Sequence, residues 1–131
     1  MCHDDDTETT FYVKHTILGS VLRASSKEEG RVGFKEGSVF FKTVSASKAY
    51  HQSGQKRLFD RLLGLVKSRE VFAKGSRYLS RGHLAPDADF VHREWQEATY
   101  FYANVAPQWQ AFNNRNWKSV EGAVRNYAIF K

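Results

Sequence analysis

The stretch Ser80 to Phe90, SRGHLAPDADF, sets an arginine, a glycine and a histidine side by side and follows them with a turn holding Pro86, Asp87 and Asp89. His83 falls between a predicted strand end and a proline-containing loop, where an imidazole can point into a cleft, and its near-neutral intrinsic pKa suits a general base. Taken alone, a histidine after a glycine is more often an ordinary surface or hydrogen-bonded residue. Phosphodiester hydrolysis requires an activated water, a cation against the developing charge and groups that hold the phosphate in line. The segment from Ser80 to Arg125 carries residue types for all three. Asn113, Trp117, Glu121 and Arg125 follow one another at i, i+4 spacing and so line one stripe of a helix. An asparagine oxygen suits a hard cation that keeps most of its waters, Glu121 can hold such a water, and Arg125 can grip a phosphate oxygen. The plainer reading is a solvated helix edge with a Glu121–Arg125 ion pair worth roughly a few tenths of a kcal/mol.

Other titratable residues point less clearly to chemistry. His3 beside Asp4, Asp5 and Asp6 has metal-like neighbours but fits a solvated acidic tail. His15 fits a half-buried structural position on a strand face. Asp87 and Asp89 are placed to cap or to form Asx turns as readily as to bind a cation. Lys56, Arg57 and Arg61 fit a solvated helix face, with nucleic-acid backbone contact as the alternative. Tyr100, Phe101 and Tyr102 read as core residues before they read as base-stacking platforms.

The elements that must position these residues follow from periodicity. Phe11, Val13, His15 and Ile17 alternate with their neighbours, which predicts a strand, and SVFFKTV, residues 38–44, predicts a second. Between them runs a polar interval from Arg23 to Gly37. Leu58, Phe59, Leu62, Leu63 and Val66 recur at helical spacing, giving an amphipathic helix ended or weakened near Gly64. SRYLSRGH is a short strand running into the motif, LAPDAD the loop after it, HREWQEA a short helix, and TYFYANVA a strand closed by Pro107. Asn113 to Tyr127 reads as a helix with Trp117, Val120, Val124 and Tyr127 on one face. The expected fold class is α+β.

The chain has 131 residues, 41% of them hydrophobic, which suits one domain with a core and not two. Twenty Lys plus Arg against fourteen Asp plus Glu give a net charge of +6, a surface that attracts polyanions and makes nucleic acid the favoured partner. The lone Cys2 excludes an internal disulfide framework. The opening MCHDDDTETT is read as a disordered acidic lead over residues 1–10, unlike a secretory signal, and no apolar run is long enough for a membrane span. Residues 11–131 form the expected domain. Its end, VRNYAIFK, stops on an apolar run and suggests truncation.

SRGHLAPDADF, YFYANVAPQWQAFNNRNW and SVEGAVRNYA together resemble the DNA/RNA non-specific endonuclease family, above all its invertebrate branch of double-stranded-RNA-degrading enzymes and crustacean DNases. HTILGSVLRAS and SASKAYHQSGQKRLFDRLLG are similar to upstream segments of that branch. The resemblance implies a mixed or antiparallel sheet with packed helices and a ββα-metal unit, in a domain whose missing C-terminal part leaves it incomplete. It implies His83 as general base and Arg81 as positive charge near the phosphate. Asn113 becomes the direct ligand to Mg²⁺, with Mn²⁺ as a substitute, Glu121 the holder of metal-bound water, Arg125 a phosphate-stabilising arginine and Asn104 a supporting asparagine. DNA or RNA is the implied substrate, and the family setting is secreted. The alternative is a catalytically impaired, nucleic-acid-binding fragment. The widespread form of the motif begins with Asp where this chain has Ser80, which implies loss of any orienting role of that carboxylate. Oligomeric state is left open.

Overall fold

The computed structural model describes residues 1–22, 32–72 and 77–131. In chain order come strands β1 (Cys2–Asp4) and β2 (Thr9–Tyr12), then helices α1 (Gly19–Leu22), α2 (Ala46–Tyr50), α3 (Gln52–Leu63) and α4 (Leu65–Val71). Strand β3 (Leu79–His83) leads through a 3₁₀ turn (Asp87–Asp89) to helix α5 (Arg93–Ala98). A second 3₁₀ turn (Tyr102–Asn104) enters strand β4 (Val105–Trp109), followed without a break by α6 (Gln110–Phe112), a π-helical turn (Asn113–Trp117) and α7 (Lys118–Phe130). The described residues are thus α+β, with two antiparallel two-stranded sheets, β1–β2 and β3–β4.

The acidic lead is not a solvated tail. Cys2 to Asp4 pairs with Thr9 to Tyr12, and the turn between them is tied by Asp4, whose carboxylate accepts from the Asp6 N–H (3.0 Å) and the Thr7 hydroxyl (2.8 Å). The reason is long-range: the His3 ring bonds Thr10 Oγ1 (2.9 Å) and the Phe40 carbonyl (3.2 Å), and Thr10 donates to the Ala103 carbonyl (2.6 Å). Both His3 nitrogens are therefore used inside the protein, which removes the metal reading of this residue.

The strand expected over residues 38–44 does not form. Gly37, at φ +70°, opens a turn there, and Glu8 accepts from the backbone N–H groups of Lys42 (2.8 Å), Thr43 (2.7 Å) and Val44 (3.2 Å). A carboxylate holding three successive donors takes the bonds that a neighbouring strand would have made. The first predicted strand is shorter than its alternation, ending at Tyr12. Of the polar interval 23–37, residues 23–31 lie outside the described residues.

Helix α3 stops where Gly64 takes φ +77°, as the sequence suggested. Its buried side is a surprise, however. Leu58, Leu62 and Leu63, with Val66 beyond, are exposed, whereas Gln55 is buried. The Gln55 amide donates to the Leu79 (2.8 Å) and Tyr50 (3.0 Å) carbonyls and accepts from the Leu79 N–H (2.9 Å), so a polar side chain fastens the helix to the start of β3. The core lies beyond it, where Ala46, Tyr102 and Val105 pack with Phe34, Phe41 and Tyr50.

Pro107 does not end the last strand; it lies within β4 opposite Arg81. A two-stranded sheet leaves β4 one unpaired edge, and a proline lacking an N–H is tolerated there. At the other end of the unit, α1 crosses α7 so closely that a Cβ on Gly19 would collide with the Ala128 carbonyl group. Backbone cannot yield as a side-chain tip does. Gly19→Ala is therefore expected to destabilise the protein by about 1–3 kcal/mol, read as a lower urea midpoint, and an unchanged midpoint would show that α1 moves freely off α7.

Candidate active site on the β3–β4–helix unit

Strand β3 ends on the histidine of interest. Its register with β4 is Leu79 to Trp109, Ser80 to Gln108, Arg81 to Pro107, Gly82 to Ala106 and His83 to Val105. Alternation puts Arg81 and His83 on one face of the ribbon and Ser80 on the other. Both residues of the first face meet Phe34: the Arg81 guanidinium lies 4.7 Å from its ring centroid and the His83 ring 5.3 Å away. Tyr100 closes on His83 edge-on at 5.1 Å. Arg81 Nη1 also donates to the Tyr102 hydroxyl at 3.3 Å. Desolvation in this aromatic cluster, with the Tyr102 hydroxyl beside it, pushes the Tyr50 phenol up to about 12, so it stays a neutral donor.

Directly after His83 the chain turns, and Asn104 holds that turn. Its Oδ1 accepts from the Ala85 N–H (3.0 Å), and its Nδ2 donates to the carbonyls of Ala85 and Thr99 (both 2.9 Å). The Leu84 N–H adds a bond to the Asn104 carbonyl (2.8 Å). Asn104 is buried, and its side-chain bonds go to the backbone of the turn that follows His83 and to that of Thr99.

The helix residues fall into two groups. Asn113 opens the π-helical turn, an irregularity that absorbs an extra residue and rotates it away from an uninterrupted α-helical stripe. Its Nδ2 donates to Ser80 Oγ at 2.9 Å. Two turns on, Glu121 and Arg125 meet the loop after β3. Arg125 Nη1 donates to Asp89 Oδ1 at 2.9 Å, and Asp89 Oδ2 bonds His15 Nε2 at 2.7 Å. The expected Glu121–Arg125 ion pair is thus replaced by one to Asp89, though the Arg125 charge still acts on Glu121. Burial raises the Glu121 carboxyl above its ordinary value, opposed by Arg125 and reinforced by the carboxylates of Asp89 and Asp87. Asp87 itself accepts from the Tyr100 hydroxyl at 2.7 Å, which links this acidic group to the ring packed on His83.

Sequence reasoning missed Asp89 as the centre of this arrangement, because its partners lie 74 and 36 residues away. The interruption of the helix at Asn113 likewise left no signal in side-chain spacing. His15 is half-buried as expected, though beyond the end of β2 and not on a strand face, and Tyr100 and Tyr102 are buried as expected. Lys56, Arg57 and Arg61 are exposed on α3, Lys56 in an ion pair with Asp60 at 2.7 Å.

A hard, mostly water-bound cation fits the donor set. Asn113 offers a neutral oxygen on an amide already fixed through its nitrogen, and Glu121 brings a partly buried carboxylate to the same helix. Among the described residues no three His, Cys, Asp or Glu side chains form a metal cage. Such a donor set suits a hard cation that keeps most of its waters better than one that needs a closed set of nitrogen and sulfur ligands.

The model of the DNA/RNA non-specific endonuclease family matches residues 1–130. A salivary endonuclease of Lutzomyia longipalpis is 35% identical over 127 residues, covering 97% of this chain and 30% of that protein. A salivary endonuclease of Culex quinquefasciatus is 31% identical over 132 residues, 98% of this chain and 31% of the relative. Salivary protein Tsal1 of Glossina morsitans morsitans is 22% identical over 129 residues, 98% of this chain and 32% of its own length. The chain therefore spans about a third of the length of these relatives. No solved structure matches it. With the family model covering nearly every residue, the chain belongs to the DNA/RNA non-specific endonuclease family.

Proposed function

We propose that this chain carries the catalytic unit of a metal-dependent, sugar-non-specific endonuclease that hydrolyses phosphodiester bonds in DNA, double-stranded RNA or both. The observation that carries this reading is the continuous β3–β4–helix unit, in which the strand ending at His83 is joined to the helix opening at Asn113 by the Ser80–Asn113 bond. His83 takes the proton of the attacking water, its ring held between Phe34 and Tyr100 and its backbone aimed by Asn104. Arg81, fixed by the Phe34 face and the Tyr102 hydroxyl, presents positive charge to the phosphate. Arg125 supplies a second guanidinium, oriented by Asp89. Asn113, with Glu121 behind it, holds the cation, Mg²⁺ or Mn²⁺. When bound, that ion supplies Lewis-acid stabilisation of the departing 3′-oxygen, and the products carry 5′-phosphates. Recognition by backbone charge explains tolerance of both sugars, and Lys56, Arg57 and Arg61 add to the attraction.

No helix among the described residues is long and apolar enough to cross a membrane, and the word salivary in the relatives' names supports an extracellular setting. The test is incubation of the protein with plasmid DNA and with double-stranded RNA, in Mg²⁺ or in EDTA. Cleavage in Mg²⁺ and its loss in EDTA are expected. Salt-sensitive binding with no turnover in either would replace this reading by that of a catalytically impaired binding fragment.

A further inference from the structure

The Ser80 hydroxyl lies 3.0 Å from the carbonyl oxygen of Gln108, its direct cross-strand partner, and 2.9 Å from Asn113 Nδ2. A serine has one hydroxyl proton and two lone pairs, and a carbonyl oxygen can only accept. The proton of Ser80 is therefore committed to Gln108, and what Ser80 has left to show Asn113 is an acceptor. Against an acceptor an asparagine side chain turns its NH₂. That choice puts Oδ1 at the end of the planar amide opposite the one that meets Ser80. Both groups flanking Ser80 are backbone-fixed: Gln108 by the β3–β4 register, Asn113 by the π-helical turn that follows β4 without a break.

We propose that Ser80 is a positioning residue that selects the orientation of the Asn113 amide and so presents its oxygen to the metal ion. This rests on the reading of Asn113 as the metal ligand. Without Ser80 the amide has no partner on the sheet to distinguish its two ends, and half of its orientations point N–H groups at the cation.

The experiment compares Ser80→Ala, Ser80→Thr and Asn113→Ala with the wild type, reading Mn²⁺ binding by the electron-spin-resonance signal of free Mn²⁺ and cleavage across a Mg²⁺ titration. Thermal melts establish that each variant is folded. Ser80→Ala is expected to weaken Mn²⁺ binding by about tenfold, in the range seen when a partner of a metal ligand is removed. The Mg²⁺ needed for half-maximal cleavage rises in parallel and the rate at saturating Mg²⁺ changes little, while Ser80→Thr, which keeps the hydroxyl, restores both. A purely structural role would lower the melting temperature and leave the Mn²⁺ affinity where it was. Mn²⁺ binding that depends on Asn113 but not on Ser80 overturns this inference alone. Binding indifferent to Asn113 overturns the metal reading and the inference with it.

Discussion

His83→Ala is expected to lower the rate of phosphodiester cleavage by about 10²–10⁴-fold, the usual contribution of a positioned general base. The loss should appear in turnover at saturating substrate, because the proposed role of the imidazole is to act on water and not to bind the polyanion. The ring packs at 5.3 Å from Phe34 and 5.1 Å from Tyr100, so its removal also leaves a gap in the aromatic cluster. His83→Gln, which fills more of that gap with a side chain that takes up no proton near neutrality, separates the two effects: it should be as inactive as the alanine variant while melting closer to the wild type. Added imidazole should recover part of the alanine variant's activity by entering the space left. Near-normal cleavage by folded His83→Ala would remove His83 from the chemistry.

The second large effect concerns stability. The Asp89 carboxylate, its side chain 5% exposed, receives Arg125 at one oxygen and His15 at the other. The Arg125 side chain is itself only 19% exposed. Asp89→Ala leaves that largely covered guanidinium without the carboxylate it bonds, a change that costs about 3–5 kcal/mol when one partner of a buried pair is removed. For a domain stabilised by about 5–15 kcal/mol in total, a loss of this size brings the protein close to its folding threshold. Urea unfolding measures it. The double variant Asp89→Ala, Arg125→Met should lose less than Asp89→Ala alone, since the stranded charge is gone. If Asp89→Ala costs under about 1 kcal/mol, the pair behaves as an exposed one and the three segments it joins, around residues 15, 89 and 125, are held by something else. The same substitution tests the proposed function, because the carboxylate holds Arg125 Nη1 and so orients the guanidinium proposed to meet a phosphate.

The motif that carries His83 and the helix that carries Asn113 were legible in the sequence because their signals are local. A glycine and a proline bracket His83, β-formers mark the strand that runs into it, and i, i+4 spacing carries the helix from Asn113 onward. Gly64 was legible as a helix end for the same reason: one residue with a left-handed backbone interrupts a periodic pattern. These features depend on neighbours within one turn or one strand. The arrangement of the site on them did not follow. The run SVFFKTV, residues 38–44, read as a strand, yet Glu8, more than 30 positions away, takes the N–H groups of Lys42, Thr43 and Val44. The apolar spacing of α3 identified the helix but not its buried face, which is set by the Gln55 amide meeting the backbone of Leu79.

The sequence by itself determined the fold class, the family through its ordered motifs, and the identities of the chemical groups. Only the tertiary structure decided what each group is bonded to. Asp89 and Arg125 are an ordinary acid and an ordinary base until a fold brings them to 2.9 Å and covers most of both side chains. Ser80 is a conservative-looking loss of charge until cross-strand register places the Gln108 carbonyl beside its hydroxyl. Hydrogen-bond donors and acceptors are properties of residue types, but which donor meets which acceptor depends on chain closure over tens of residues, and local periodicity carries no information about that.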